Sequence, residues 1–113
     1  MLHKMNLTPT AFEAVRSGKK TVEMRLYDEK RKRLSVGDDI EFTNSETERE
    51  IKCAVVGLTR FKDFFELYNR FNKTTLGYAE TDTANAEDMY TYYSAEQIEA
   101  FGVLAIEIKL KDK

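Results

Sequence analysis

Alternation of apolar and polar residues predicts β-strands at several places in this chain. The clearest alternation covers residues 21–26, where Val22, Met24 and Leu26 are apolar and the residues between them are polar or charged. A period of two places the apolar side chains on one face, as in a half-buried strand. Similar patterns predict strands at residues 5–7, 39–43, 50–59 and 103–108, the middle two joined as a hairpin.

A first helix is predicted between residues 5–7 and 21–26. Thr8 is suited to cap it, because a threonine oxygen accepts a hydrogen bond from a free N–H of the first turn. Pro9 suits the first helical position, where no N–H is needed. Gly18 is expected to end the helix in a backbone conformation that favours glycine.

Two further helical regions are predicted downstream. Asp63 with Glu66 forms a capping-box pattern, and Ser94 with Gln97 forms another. The helix after Asp63 is expected to pack an aromatic face against the core: Phe64, Phe65, Tyr68 and Phe71. Five or so strands wrapped by short helices predict one α+β domain over residues 1–113, a small, partly closed and mostly antiparallel β-barrel.

Composition narrows the functional classes. The chain has 113 residues, 42% of them hydrophobic and 34% charged, as in an ordinary globular domain. No apolar run is long enough for a signal peptide or a membrane span, so we expect a soluble, cytoplasmic protein with no membrane partner. Cys53 and His3 are the only residues of their types, which excludes a zinc site of cysteines and histidines. No cofactor and no metal site are predicted, although a magnesium site made only of carboxylates stays open.

The net charge of −2 conceals a strong asymmetry. Residues 16–33 contain eight basic and three acidic residues, a local charge of +5, whereas residues 74–108 contain seven acids and no lysine or arginine. Local potential, rather than total charge, attracts a phosphate. Residues 16–33 are therefore a candidate anion-binding surface, with a solvated surface that binds nothing as the alternative.

The segment from Gly18 to Arg25 contains the most informative charged residues. Glu23 and Arg25 are two apart on a predicted strand, so they project from the same face and can form an ion pair. Lys20 lies at the start of the same strand, and a lysine suits either a phosphate or, when desolvated, an activated amine. The alternative is a charge ladder on a solvent-facing strand surface.

The pattern Gly18-x-Lys20-x-x-Glu23-x-Arg25, followed by Val36-Gly37-Asp38, resembles the signature of the ASCH superfamily. The order of predicted elements agrees along the whole chain, which looks like a stand-alone bacterial member. The resemblance implies a barrel like that of PUA domains, with a cleft and an RNA-related role. Lys20, Glu23 and Arg25 would line that cleft.

The resemblance also implies two enzymatic alternatives. Small acetylcytidine amidohydrolases of the superfamily use a lysine, a threonine and a glutamate; Lys20 matches the lysine, but Glu23 occupies the threonine position. Thr21 is the nearest substitute for the threonine, and Glu80 is the candidate for the glutamate. Other relatives look like ribonucleases, for which Lys20, Tyr78 and Ser94 are the candidates.

Three functions are therefore open, and the sequence leaves the oligomeric state undecided. The first is a binding module for RNA, a nucleoside or a nucleotide. Its phosphates would be contacted by Arg31, Lys32 and Arg33, its base or sugar would be read by Lys20, Glu23 and Arg25, and Tyr78 is a further ligand-binding candidate. The second is a hydrolase with Lys20 as base or activated amine and Glu23 as its orienting carboxylate or acid–base partner. The third is an interaction domain that uses the acidic face of residues 80–99. In the cluster Tyr90-Thr91-Tyr92-Tyr93, we expect two tyrosines to pack on the barrel and one to be available for stacking on a base.

Overall fold

The computed structural model describes residues 1–111, which form a mixed five-stranded curled sheet with several short helices. The strands are β1 (Leu2–Leu7), β2 (Val22–Leu26), β3 (Asp39–Asn44), β4 (Glu50–Phe61) and β5 (Val103–Leu110). The helices are α1 (Pro9–Arg16), α2 (Phe64–Arg70) and α3 (Ala95–Phe101), with 3-10 helices at Arg31–Arg33 and Ala86–Thr91. No helix in this part of the chain has the length and apolar character needed to cross a membrane.

The curled sheet is a half-barrel whose two edge strands face each other across a seam. The strand order is β1-β3-β4-β5-β2; β1 pairs with β3 in parallel, and every other pair is antiparallel. Arg25 of β2 reaches across the seam, and its NH2 group donates a hydrogen bond to the main-chain oxygen of Asn6 in β1 at 2.8 Å. The predicted α+β class, with a partly closed and mostly antiparallel barrel, is confirmed.

The sheet has an apolar cluster on each face. Residues that pair across antiparallel strands share a face, so Glu23 and Arg25 lie on the same side as their β5 partners Ile106 and Leu104. That side packs against Phe12 of α1. The opposite side, which includes Met24, packs against α2, α3 and the segment before α3. β2 is thus covered on both faces, and the prediction of a half-buried strand is wrong.

The helices begin and end where the capping patterns predict. Thr8 accepts a hydrogen bond from the Ala11 N–H, and Asp63 accepts one from the Glu66 N–H. Ser94 and Gln97 complete a reciprocal capping box. These interactions are local, so they form wherever the sequence supplies the right side chain at the right spacing.

The aromatic face predicted for α2 needs one correction. Phe65 is 45% exposed, whereas Leu67 is fully buried. The buried stripe of α2 consists of Phe64 and Leu67, three residues apart, with Tyr68 partly buried beside them. Phe65 lies one residue from this stripe and therefore points away from the sheet.

Gly37 and Asp38 have a structural role at the entrance to β3. Gly37 has a φ of +100°, a conformation that favours glycine. The Asp38 carboxylate accepts hydrogen bonds from His3 at 2.9 Å and from the Ser35 N–H at 3.0 Å. The hydrogen bond from His3, supported by the one from Ser35, lowers the pKa of Asp38 to about 2. Gly37 and Asp38 therefore stabilise a turn, and neither lines the cleft at the seam.

Candidate functional site

A cleft of about 540 Å³ opens at the seam between the two edge strands. Its lining residues come from five parts of the chain: the end of β1 and α1 within residues 6–14, Lys20 with the centre of β2, Tyr68 of α2, residues 76–78, and several residues between 88 and 93. This volume lies in the range of small-molecule sites, and tyrosines together with a few charged groups line it. The cleft is therefore the candidate binding site.

Lys20 lies at the inner wall of the cleft, where its side chain is only 7% exposed. Gly18 has a φ of +86° and turns the chain after α1, and the Lys20 N–H then donates to the Ala14 oxygen at 2.9 Å. The ammonium group donates to the Leu76 main-chain oxygen at 2.9 Å and lies 3.3 Å from a Glu23 oxygen. Gly77 leaves room for it, because a Cβ at that position would come within 3.3 Å of the Lys20 side chain.

Glu23 is fully enclosed between two cations. One carboxylate oxygen faces Lys20, and the other accepts a hydrogen bond from Arg25 Nε at 2.6 Å. Burial alone would raise the pKa of Glu23, but the positive charges of Lys20 and Arg25 outweigh it and lower this pKa below its usual value. Glu23 is therefore an anion whose main effect is to hold two cations at fixed positions.

The three charged residues predicted to line the cleft do so. Lys20, Glu23 and Arg25 form one continuous ion-pair network, which we call the charged triad, with a net charge of +1. The same network bridges the seam through Arg25 and the Asn6 oxygen. The triad thus both closes the half-barrel and supplies polar groups to the cleft.

A chain of hydroxyl groups forms another part of the lining. The Tyr68 and Tyr78 hydroxyls lie 2.9 Å apart, and the Tyr78 hydroxyl donates to an Asp88 oxygen at 2.6 Å. Because Tyr78 has only one proton and gives it to Asp88, Tyr68 must be the donor to Tyr78. Burial, reinforced by the hydrogen bond to Asp88, raises the pKa of Tyr78. Tyr78 remains a neutral phenol that a ligand can contact.

The tyrosine cluster before α3 differs from the expectation. Only Tyr93 packs, with its ring stacked on Phe64 at 5.9 Å between centroids. Tyr90 and Tyr92 are 49% and 62% exposed, so the prediction that two of the three pack on the barrel is wrong. Tyr92 and Tyr93 line the cleft, whereas Tyr90 does not. Tyr92 is therefore the ring available for stacking at the rim of the cleft.

The remaining predicted site residues lie outside the cleft lining. Thr21 is exposed and lines a separate depression beside Gly18 and Lys109. Glu80 is exposed on a loop, and its main-chain oxygen accepts a hydrogen bond from Lys73. The Ser94 hydroxyl is occupied in capping α3. Lys20 also borders the depression that Thr21 lines, whereas Glu80 and Ser94 line neither that depression nor the cleft.

The basic residues 31–33 form a 3-10 helix beside the cleft. Arg31 pairs with Asp28 at 3.3 Å, and Lys32 pairs with Glu29 at 3.4 Å. Arg33 is exposed. None of the three lines the cleft, but the charge of Arg31 acts on the Tyr93 phenol, which does.

Asp88 and Tyr68 are site residues that the sequence analysis missed. Both approach Tyr78 from ten residues away, in opposite directions along the chain. The acidic composition of residues 74–108 marked Asp88 only as one carboxylate among seven. Within residues 1–111, no group of three or more histidine, cysteine or acidic side chains is placed to hold a metal ion.

The fold and the charged triad define a domain of the ASCH class. The family model described as ASCH domain matches residues 5–112, and the chain belongs to this family. No match is found among curated proteins.

Solved structures support the same assignment. The crystal structure of the hypothetical protein PH0355 is 30% identical, with a TM-score of 0.82 over 97% of this chain and 99% of its own. Protein PF0455 from Pyrococcus furiosus, solved by NMR, is 28% identical, with a TM-score of 0.72 over 100% of both chains. The crystal structure of an ASCH protein from Zymomonas mobilis shares the fold, with 18% identity and a TM-score of 0.66. The match covers 96% of this chain and 66% of the Zymomonas mobilis chain.

Proposed function

We propose that the cleft binds a nucleoside, either free or presented by an unpaired position of an RNA strand. The observation on which this rests is that one concave site combines a buried charged triad with exposed aromatic and hydroxyl groups. The family is associated with RNA binding, and the proposal assigns this association to a particular pocket.

The charge of the cleft favours the nucleoside portion of the ligand over its phosphate. Its charged lining residues are two cations, Lys20 and Arg25, and two carboxylates, Glu23 and Asp88. An interior with balanced charges suits an uncharged heterocycle and sugar, which offer donors and acceptors rather than net charge. Phosphates of an RNA strand would lie outside, towards residues 31–33.

Aromatic groups at the rim supply the second element of recognition. Tyr92 is the most exposed tyrosine of the lining, and stacking of a base on such a ring contributes about 1–3 kcal/mol. Tyr78 and Lys20, which also line the cleft, offer a phenol and an ammonium group. A base held by Tyr92 would present its polar edge to these groups.

The test is calorimetric titration of the four ribonucleosides and of short single-stranded RNAs at low salt. Lys20→Met is expected to weaken binding about tenfold or more, because it removes one charged hydrogen-bond donor from the cleft. Lys19→Met is the matched control, since Lys19 is the adjacent, exposed residue outside the lining. Absence of binding by every nucleoside and RNA would contradict the proposal.

A hydrolase acting on the bound nucleoside or RNA is the second candidate. The observation that favours it is the ordered chain from Tyr68 through Tyr78 to Asp88, which ends in a carboxylate that lines the same cleft as Lys20 and could accept a proton. Glu23 would orient Lys20. Incubation with acetylcytidine and with unstructured RNA tests it: product formation by wild type and its loss in Lys20→Met and Tyr78→Phe would support hydrolysis, and equal turnover by the variants would exclude these roles.

A further inference from the structure

The open edge of β2 runs along the cleft. The main-chain groups at this edge take no part in the charged triad or in the tyrosine hydroxyl chain. Met24, at the centre of β2, is one of the lining residues. Its side chain nevertheless packs in the cluster between the sheet and α2, and the residue is only 9% exposed. The cleft opens at the seam beside this edge, so any main-chain group of Met24 that points to the open edge would border the cleft.

Hydrogen bonds at both ends of β2 show which main-chain groups point to β5. The Ile108 N–H donates to the Thr21 oxygen at 2.9 Å, and the Tyr27 N–H donates to the Gly102 oxygen at 3.0 Å. Both bonds continue the register of the β2–β5 pair, in which Met24 lies opposite Ala105. Residues that exchange hydrogen bonds alternate with residues that do not in an antiparallel pair. The odd-numbered residues of β2 therefore bond to β5, and the even-numbered residues direct their N–H and C=O groups to the open edge.

The loop beyond the open edge of β2 agrees with this direction. The Val22 N–H donates to the Thr75 oxygen at 3.0 Å, and the N–H of Thr21, just before β2 begins, donates to the same oxygen at 2.9 Å. The next main-chain oxygen of that loop, at Leu76, turns away and accepts a hydrogen bond from Lys20. The loop thus covers the open edge at Val22. It does not cover Met24, the next residue whose main-chain groups point to the open edge.

We propose that the Met24 N–H and C=O form the ligand-reading edge of the cleft. A planar heterocycle with a donor and an acceptor side by side would pair with both groups, as an added strand pairs with the edge of a sheet. The base-pairing edge of every nucleobase has such a donor and acceptor side by side, and single-stranded RNA is commonly read through it. This inference rests on the proposed nucleoside-binding function and specifies how the base would be held.

The charged triad gives this edge a fixed position. Glu23 and Arg25 flank Met24 in sequence, and their side chains are tied to Lys20 and to the Asn6 oxygen. Main-chain groups held in this way are pre-organised, so little ordering entropy is lost when a ligand binds. The triad would then also position the strand that reads the base, in addition to the contact that Lys20 makes with the ligand.

The experiment compares nucleosides with uncharged analogues whose base-pairing edge is blocked by methyl groups. The pairs are uridine with 3-methyluridine, cytidine with N4,N4-dimethylcytidine, adenosine with N6,N6-dimethyladenosine, and guanosine with 1-methylguanosine. For any nucleoside that binds, the methylated partner is expected to bind about tenfold more weakly or worse, because two hydrogen bonds are lost. Hydrogen exchange of the Met24 amide is expected to slow about tenfold or more at saturation.

Two other amides of β2 are internal controls. The Leu26 amide points to the same open edge but lies outside the cleft lining, and the Arg25 amide points to β5. Neither is expected to change its exchange rate by more than about twofold, because neither meets the ligand. Binding without protection of Met24, or equal binding of the methylated analogues, would overturn this inference while leaving the nucleoside site intact. Failure of all four parent nucleosides to bind would overturn the proposed function and this inference together.

Discussion

Two lysine–glutamate pairs in this protein have nearly the same geometry but very different surroundings. Lys20 and Glu23 approach to 3.3 Å with side chains 7% and 8% exposed; Lys32 and Glu29 approach to 3.4 Å with side chains 46% and 85% exposed. Both pairs span three residues in the sequence. Water screens the exposed pair, whereas the buried pair has been removed from water. Loss of one partner is therefore expected to cost far more stability in the buried pair than in the exposed pair, although the distances are alike.

The basic residues of this protein fall into two groups, one outside the cleft and one within it. Residues 30–33 contribute four consecutive positive charges, yet their side chains do not line the cleft. Lys20 and Arg25 contribute only two, but Glu23 holds both inside it. A candidate site is therefore defined by which charges the fold buries together and not by how many the sequence places together.

Removing the buried carboxylate gives the largest expected difference between the two pairs. Glu23→Gln leaves Lys20 and Arg25 enclosed without their counter-ion, which is expected to reduce the free energy of unfolding by about 3–5 kcal/mol. Glu29→Gln, in the exposed pair, is the matched control and is expected to leave stability nearly unchanged. Urea unfolding monitored by circular dichroism measures both. Similar losses in the two variants would show that burial of the triad does not govern its energetics.

Replacing the guanidinium group tests the bridge across the seam. Arg25→Lys cannot keep both the bond to Glu23 and the bond to the Asn6 oxygen, so we expect a loss of about 1.5–3 kcal/mol in urea unfolding. Arg16→Lys is the control, because Arg16 also pairs with a glutamate, Glu13, but on the exposed surface of α1. An Arg25→Lys variant as stable as the wild type would mean that the seam is closed by packing alone.

Acid should erase the contribution of Glu23. Its pKa is lower in the folded protein than the usual 4.5, so the stabilisation is complete above about pH 4.5 and is lost as the pH falls through the folded value. Glu23→Gln has no group that titrates there. The difference in unfolding free energy between wild type and Glu23→Gln is therefore expected to narrow below pH 4.5, by at most about 1.4 kcal/mol per pH unit. A difference that is constant from pH 7 to pH 3 would contradict the assignment of Glu23 as an anion.

The exposed basic residues should affect RNA but not a free nucleoside. Lys32→Gln combined with Arg33→Gln is expected to reduce the slope of log affinity against log salt for single-stranded RNA by about 1.4, as two phosphate contacts are lost. Affinity for the nucleoside is expected to change less than about twofold. Calorimetry at several salt concentrations measures both quantities. An equal loss for RNA and nucleoside would place these residues in the same site as the triad.

Local pattern was sufficient to predict most elements of the fold. The alternation around β2, the caps at Thr8, Asp63 and Ser94, and the turn at Gly18 all depend on residues within a few positions of one another. Such interactions need little tertiary context, so they can be predicted from one sequence. The motif resemblance added the grouping of Lys20, Glu23 and Arg25, which no periodicity could have shown.

Burial of individual side chains could not be predicted in the same way. Thr21 and Glu23 share a face by strand alternation, but Thr21 is exposed and Glu23 is only 6% exposed. Glu23 is enclosed by its ion pairs with Lys20 and Arg25, whereas Thr21 lies at a surface depression. Glu23 is thus a charged side chain that is buried. Phe65 and Tyr92, by contrast, are aromatic side chains that remain exposed.

The sequence by itself determined the elements, their caps and the placement of two charged residues on one strand with a third just before it, because these depend on contacts between near neighbours. Only the tertiary structure decided that the charges meet in a cleft, since Lys20 reaches its carbonyl partner across 56 residues and Arg25 reaches β1 across 19. The curl of the sheet brings its two edges together, and that closure, which is a property of all five strands, creates both the seam and the candidate site.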